Sequence, residues 1–310
     1  DAAPDPMLDA GASLDAPVEE LDAPLEDTGP AMIDAGAMTD APPSILDAAT
    51  MEDTPPAMTD AGAMADAPVA AVCPAAAALQ AAIDRERVRL GITGAVGRFS
   101  MPGCVWTCAS GVTDRATGRV ALPTDRYRVG SITKTFTAAV ILQLMEEGQI
   151  SLDDPLSSFV AFPGGGAITI RHLLSHTSGI YDYLGSPAVI AEQSRPWTRA
   201  EVIAIAAAQP PVFPPGSRWG YSYSNYFLLG MVIEDVTGNA YHVEVRRRLL
   251  APLGLDATYL EGPESLPGGL VVRSYEHRSG PYVDITSLTH PSLGWSAGSY
   301  ISTAEDLEDW

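Results

Sequence analysis

The composition of the chain changes abruptly near Val72, and this break decides which residues can form a folded core. Residues 1–72 carry 16 acidic side chains, no Lys or Arg and no aromatic residue, and consist mainly of Ala, Asp, Pro, Met and Gly. So little apolar area cannot offset the entropy of ordering the backbone. The sequence therefore predicts a disordered acidic tail over 1–71 and a folded domain over 72–310.

The tail contains an internal repeat, since residues 31–42 return with few changes as residues 57–68. Uniform negative charge is expected to keep such a segment extended. We interpret it as a tether that holds the domain away from a membrane or wall. No apolar stretch approaches the ~18 residues needed to cross a bilayer. The sequence begins at Asp1 with neither Met nor a signal-like segment, so we expect the true start to be missing or removed.

The net charge of −21 belongs mostly to the tail, because the remaining residues carry 23 acids against 18 bases. This balance is ordinary for a soluble enzyme and lacks the basic face that a nucleic-acid-binding domain needs. The folded part begins with a predicted helix over 75–90, followed by a hairpin of strands 94–99 and 105–112. A strong apolar helix is predicted over 131–149, ending near Gly148. Further helices are predicted over 170–175, 199–209, 226–237, 243–250 and 303–310.

The chain has three cysteines, Cys73, Cys104 and Cys108. Cys104 and Cys108 lie four residues apart in a predicted strand, which separates them by about 13 Å and prevents a bond between them. We expect either one disulfide from Cys73 to one of these two, with one free thiol, or three small buried apolar side chains.

Lys134 is the only lysine among 18 basic residues, and it follows Ser131 by three positions. A guanidinium does not deprotonate in proteins, whereas a buried ammonium can lose its proton and act as a base. Residues i and i+3 of a helix share a face, which brings the amine within reach of the serine oxygen. The alternative interpretation is an ordinary N-cap serine and a solvated lysine. The apolar character of this helix favours a nucleophilic Ser131 activated by Lys134.

Five blocks, in the same order, resemble the penicillin-recognising serine hydrolases, which include class C β-lactamases, D-alanyl-D-alanine carboxypeptidases and related esterases. The blocks are residues 106–111, 128–139 together with 148–155, 172–180, 215–230 and 296–307. The resemblance implies an α+β fold of the β-lactamase/transpeptidase type, with an antiparallel sheet packed against helices and an all-helical region. It also implies substrate contacts at Ser296 and Gly298, and no cofactor.

The family's second motif is Tyr–x–Asn, whose tyrosine shuttles a proton beside the nucleophile. The literal match is Tyr223-Ser224-Asn225, but the family spacing from Gly216 and Gly230 selects Tyr221. We therefore predict Tyr221 as the catalytic tyrosine, with Tyr223 as the alternative. Tyr223 and Asn225 are predicted substrate contacts. With Tyr221 in that role, Tyr223 stands where the family often has Asn, which puts β-lactam or peptide recognition in doubt.

The family's third motif, Lys/His–Thr/Ser–Gly, is absent before Trp310. We therefore expect a C-terminally truncated domain that lacks its last strands and one oxyanion donor. His172 and His176 have metal-ligand spacing, but no third ligand is evident, so we predict structural histidines and no metal.

The resemblance implies an exported serine hydrolase, periplasmic or at the cell surface, with lipid anchoring through a missing N-terminus as one form of attachment. Its expected substrate is a small molecule or a peptidoglycan peptide carrying an amide, lactam or ester. The alternative is a non-catalytic, surface-tethered member that binds cell-wall peptide or another protein.

Overall fold

The computed structural model describes residues 73–264, 271–277 and 280–310, all within one compact unit, Ala65–Trp310. The predicted tether over 1–71 lies outside the described residues. In the part of the chain that is described, no helix is both long enough and apolar enough to cross a membrane.

The first helix and the hairpin form as predicted from their patterns. Helix α1 spans Ala76–Arg89, and strands β1 (Gly94–Met101) and β2 (Cys104–Asp114) pair antiparallel from Gly94↔Gly111 to Met101↔Cys104. A short strand β3, Arg119–Val120, extends this sheet. Helix α1 lies against β2, where its Arg87 Nε donates to Ser110 Oγ at 2.8 Å.

A disulfide joins Cys73 to Cys104, which is one of the two pairings expected for Cys73. Cys108 is a buried free thiol four residues along the same strand. The crosslink ties the segment that enters α1 to the start of β2.

A second sheet carries the residues around the predicted nucleophile. It has the strand order β4 (Tyr127–Arg128), β8 (Tyr300–Ser302), β5 (Tyr259–Leu260), with both pairs antiparallel. A separate pair consists of β6 (Tyr275–Glu276) and β7 (Val283–Asp284). These strands have only two or three residues each, too few to show an alternating pattern in the sequence.

The remaining described α-helices follow the first sheet along the chain. They are α2 (Thr133–Glu146), α3 (Ile170–Leu174), α4 (Pro187–Ala191), α5 (Arg199–Ala207), α6 (Tyr223–Thr237), α7 (Tyr241–Val245), α8 (Ala251–Leu253), α9 (Trp295–Gly298) and α10 (Ala304–Asp309). A π-helical turn, Arg246–Leu250, joins α7 to α8. The prediction for 131–149 was too long at its start, because a 3-10 turn, Gly130–Ile132, precedes α2. The prediction for 226–237 was too short, because Ser222 Oγ caps α6 by accepting from Ser224 N at 3.2 Å.

Helix α6 is the centre of the core and packs against α2, α3 and α9. Gly230 makes the approach of α9 possible, because a Cβ at this position would lie 2.3 Å from Ser296 Oγ. Helix α2 buries Phe136 and Leu144 completely, but Leu142 on its other side is 41% exposed. The helix is therefore largely buried, with a narrow exposed stripe that includes Leu142.

Candidate active site

Ser131 lies in the 3-10 turn between β4 and α2, with its side chain exposed. Two hydrogen bonds hold this turn on strand β8: Val129 N donates to Tyr300 O, and Tyr300 N donates to Thr133 Oγ1, both at 3.0 Å. Gly130 enters the turn with φ +53°, a conformation that costs glycine little. The sheet therefore fixes the backbone on both sides of Ser131.

Lys134 lies in the first turn of α2, and its Nζ donates to Ser131 Oγ at 3.2 Å. The same amine donates to the carbonyl oxygen of Ala297 at 2.7 Å, which anchors it from α9. Only 6% of Lys134 is exposed. The alternative of a solvated surface lysine does not match this placement.

Burial lowers the pKa of Lys134 from its usual 10.5 to about 8, while the negative charge of Asp182 acts in the opposite direction. The amine also lies over the ring of Tyr223, 3.9 Å from its centroid, a contact that favours the ammonium. With a pKa near 8, a useful fraction of Lys134 is the neutral amine at mildly alkaline pH. That form can accept a proton from Ser131.

Both candidate tyrosines reach the nucleophile. Tyr221 OH lies 2.7 Å from Ser131 Oγ, and Tyr223 OH lies 3.3 Å from it. Burial raises the pKa of Tyr221, against the opposing effect of its hydrogen bond with Ser131, so the phenol is protonated near neutral pH. The structure thus brings Ser131, Lys134, Tyr221 and Tyr223 together, with the shorter contact to Tyr221.

Two of the predicted substrate contacts are buried elsewhere. Asn225 is fully buried, and its amide bonds to Ser178 Oγ and, at 3.0 Å, to His176 Nδ1. Ser296 is also fully buried and donates to Tyr226 O at 3.0 Å. Asn225 is held by the segment that follows α3 and Ser296 by α6, and neither bonds to Ser131, so their prediction as substrate contacts is corrected.

Gly298 lies beside Tyr223, since a Cβ at this glycine would lie 3.2 Å from Tyr223 Cε1. Both residues line a small cavity of about 170 Å³, together with Leu184 and Arg128. Of the positions in the 296–307 block, Gly298 is therefore one that the structure places next to the predicted site. Ala297, which the sequence did not suggest, contributes the carbonyl that holds Lys134.

The two histidines form hydrogen bonds with backbone groups of the protein. His172 Nδ1 accepts from Thr169 N at 3.2 Å in the capping box of α3. His176 stacks on the Tyr221 ring, with ring centroids 4.5 Å apart. Burial and, secondarily, the charge of Lys134 lower the pKa of His176 to about 4, so the imidazole is neutral. Among the described residues, no group of three His, Cys, Asp or Glu side chains could hold a metal ion.

The geometry agrees with a match to a known family. A family model described as Beta-lactamase matches residues 79–310. The chain belongs to the beta-lactamase family. Its fold is the β-lactamase/transpeptidase-like fold, with antiparallel sheets and helices.

Several relatives in this family have names that indicate hydrolases or penicillin-binding proteins. Esterase EstB of Burkholderia gladioli is 31% identical over 58% of this chain and 50% of its own length. Penicillin-binding protein 4 of Amycolatopsis lactamdurans is 31% identical over 60% of this chain and 50% of its own length. The chain thus spans about half the length of each of these curated relatives.

Solved structures show the same fold. The D-stereospecific amidohydrolase from Streptomyces sp. is 40% identical with a TM-score of 0.65, over 76% of this chain and 72% of that one. The D-amino acid amidase from Ochrobactrum anthropi SV3 is 28% identical with a TM-score of 0.69, over 75% and 68%.

Proposed function

We propose that the protein is a serine hydrolase that forms an acyl-enzyme through Ser131. The serine oxygen attacks an ester or amide carbonyl, and its proton passes to Lys134, directly or through Tyr221. The same groups return the proton to the leaving alcohol or amine. Water then attacks the acyl ester, loses its proton to these groups, and releases the acid together with Ser131.

One observation carries this proposal: Ser131 Oγ lies within hydrogen-bond reach of both Lys134 Nζ and Tyr221 OH, at 3.2 and 2.7 Å. A nucleophile needs a neighbouring base whose pKa is close to the working pH. Lys134 meets this requirement because burial brings its pKa to about 8. The start of α2 adds a positive potential near the oxyanion that forms on attack.

For the substrate we propose an ester or amide rather than a β-lactam. Tyr223 occupies the position where the family often has Asn, and Asn225 is buried with its amide bonded to Ser178 and His176. A buried amide does not face the site and cannot recognise a substrate amide. The names of the esterase and the two amidohydrolases described above support ester and amide bonds as the cleaved groups.

A substrate panel tests this proposal. The protein is assayed with p-nitrophenyl acetate and butyrate, the amides of D- and L-phenylalanine, and a chromogenic cephalosporin. We expect turnover of an ester or amide, loss of that turnover in Ser131→Ala, and no loss in Ser158→Ala, an exposed serine on a different 3-10 turn. Equal turnover in Ser131→Ala contradicts the nucleophile, and faster turnover of the cephalosporin contradicts the substrate class. A protein that fails with every substrate and with a fluorophosphonate probe supports the non-catalytic alternative.

We also propose that the protein is exported and that residues 1–71 tether it to a membrane or wall. The disulfide between Cys73 and Cys104 supports an oxidising compartment. Alkylation with a maleimide in intact cells, followed by peptide mapping, tests the compartment. We expect Cys73 and Cys104 to be protected until a reductant is added, and their labelling without reductant contradicts export.

A further inference from the structure

His176 holds the backbone on both sides of Tyr221. Its carbonyl oxygen accepts from Gly220 N at 2.8 Å, and its ring Nδ1 accepts from Ser222 N at 3.3 Å. Its ring stacks on the Tyr221 ring with an angle of 29° between the planes. His176 therefore contacts the ring of Tyr221 directly and bonds to the backbone of both residues that flank Tyr221.

These contacts define the tautomer of His176. The Ser222 N–H is a donor, so Nδ1 must carry a lone pair, and the proton of the neutral ring lies on Nε2. Nδ1 therefore also accepts from Asn225 Nδ2 at 3.0 Å, and Asn225 Oδ1 accepts from the Ser178 hydroxyl. The buried Asn225, which the sequence suggested as a substrate contact, thus orients His176.

Tyr221 needs such a partner, because it precedes α6 and its side chain is 42% exposed. An exposed phenol can change rotamer unless neighbours hold it. Its hydroxyl has to stay at 2.7 Å from Ser131 Oγ for proton transfer. His176 is 9% exposed, and its Nδ1 bonds to Ser222 and Asn225 rather than to Ser131, so it acts through Tyr221.

We propose that His176 is a positioning residue that holds the Tyr221 hydroxyl on Ser131 through its stacked ring and its unprotonated Nδ1. This role rests on the proposed function, in which Tyr221 transfers a proton. The backbone of His176 has φ +57°, so its replacement has to tolerate the left-handed region. Asparagine does so and also offers an acceptor near the position of Nδ1, but it lacks the ring.

A double-mutant cycle measures the role. The rate of Ser131 phosphonylation by a fluorophosphonate probe, in which the serine oxygen displaces fluoride from phosphorus, is compared in the wild type, His176→Asn, Tyr221→Phe and the double variant. Misplacement of a catalytic group by about 1 Å can cost ~100-fold, so we expect His176→Asn to lose about 10- to 100-fold in maximal rate with little change in half-saturation. In the Tyr221→Phe background we expect the same substitution to change the rate less than about threefold.

Two further measurements separate this role from a loss of folding. His172→Asn, which removes a comparable backbone contact in α3, is expected to retain the wild-type rate. The melting temperature of each variant shows whether it folds.

The tautomer gives a test that does not depend on activity. In ¹⁵N NMR spectra of the wild type near neutral pH, we expect the His176 ring to carry its proton on Nε2, and a proton on Nδ1 overturns the proposal. If the fold-losses in rate of the two single variants multiply in the double variant, the two residues act independently and the proposal is also overturned. If the wild type is not acylated at all, the proposed function fails, whereas an acylated wild type with multiplying losses contradicts only the role of His176.

Discussion

Replacing Lys134 by methionine removes a buried ammonium and keeps an unbranched side chain that is one atom shorter. Because Lys134 is the only lysine of the chain, no second lysine titrates in the same pH range. Its pKa is about 8 in the folded protein and 10.5 when unperturbed. Between these values the unfolded state binds more protons than the folded state, so stability rises with pH in this window. Below about pH 8, the folded state bears the full cost of burying the charge.

The size of this effect follows from the two pKa values. From about pH 7 to about pH 9.5, the wild type is expected to gain about 2 kcal/mol in free energy of unfolding from Lys134 alone. Water in the cleft around the exposed Ser131 and Tyr221 screens part of this cost, so about 1 kcal/mol is the lower figure. Lys134→Met lacks the titrating group and is not expected to show this gain.

Urea unfolding followed by tryptophan fluorescence at the two pH values measures the difference between the wild type and Lys134→Met. Titration of groups remote from Lys134, such as Cys108, is common to both proteins and cancels in this difference. We expect the difference to move by about 1–2 kcal/mol in favour of the wild type at the higher pH. If the difference in free energy of unfolding stays constant between the two pH values, or moves in favour of Lys134→Met, burial does not disfavour the ammonium of Lys134. The reason to assign this amine as the base is then lost.

Four further changes test other parts of the site and of the fold. Tyr221→Phe is expected to lower the acylation rate by about 10²–10³-fold, and Tyr223→Phe by less than about tenfold. Stopped-flow probe labelling measures both rates. A larger loss in Tyr223→Phe than in Tyr221→Phe would assign the proton shuttle to Tyr223. Gly230→Ala forces α9 away from α6, because the new Cβ would lie 2.3 Å from a serine oxygen of α9, and is expected to cost about 1–3 kcal/mol in urea unfolding together with most of the acylation rate. Reduction of the Cys73–Cys104 disulfide, which closes a loop with a sequence separation of 31, is expected to lower the free energy of unfolding by about 3–4 kcal/mol, and an unchanged unfolding curve after verified reduction would contradict this role.

The parts of the fold that the sequence predicted are those with long local patterns. Helix α1, the hairpin and α2 each extend over eight or more residues, enough for a periodic pattern to be read. The pair Ser131 and Lys134 was predictable because a spacing of three positions on a helix or tight turn places both side chains on one face. The two- and three-residue strands β4, β5 and β8 form through pairing between distant segments, and nothing local marks them.

The errors in the site have a common cause, which is the rotation of a helix between alternate residues. An α-helix turns by about 200° over two residues, so side chains at i and i+2 point to nearly opposite sides. Tyr223 begins α6 and faces Ser131, and Asn225 therefore points into the core. On α9, Ser296 is buried and donates to Tyr226 O within α6, whereas Gly298 lies against the ring of Tyr223, whose hydroxyl reaches Ser131.

Trapping the acyl-enzyme tests the central claim most directly. The protein is mixed with a slowly hydrolysed ester or a fluorophosphonate probe, quenched in acid, digested and mapped by mass spectrometry. We predict one acyl or phosphonyl group on the peptide that contains Ser131, with labelling much slower in Lys134→Met and absent in Ser131→Ala. A wild type that carries no group on Ser131, or that carries it as fast without Lys134, contradicts the account.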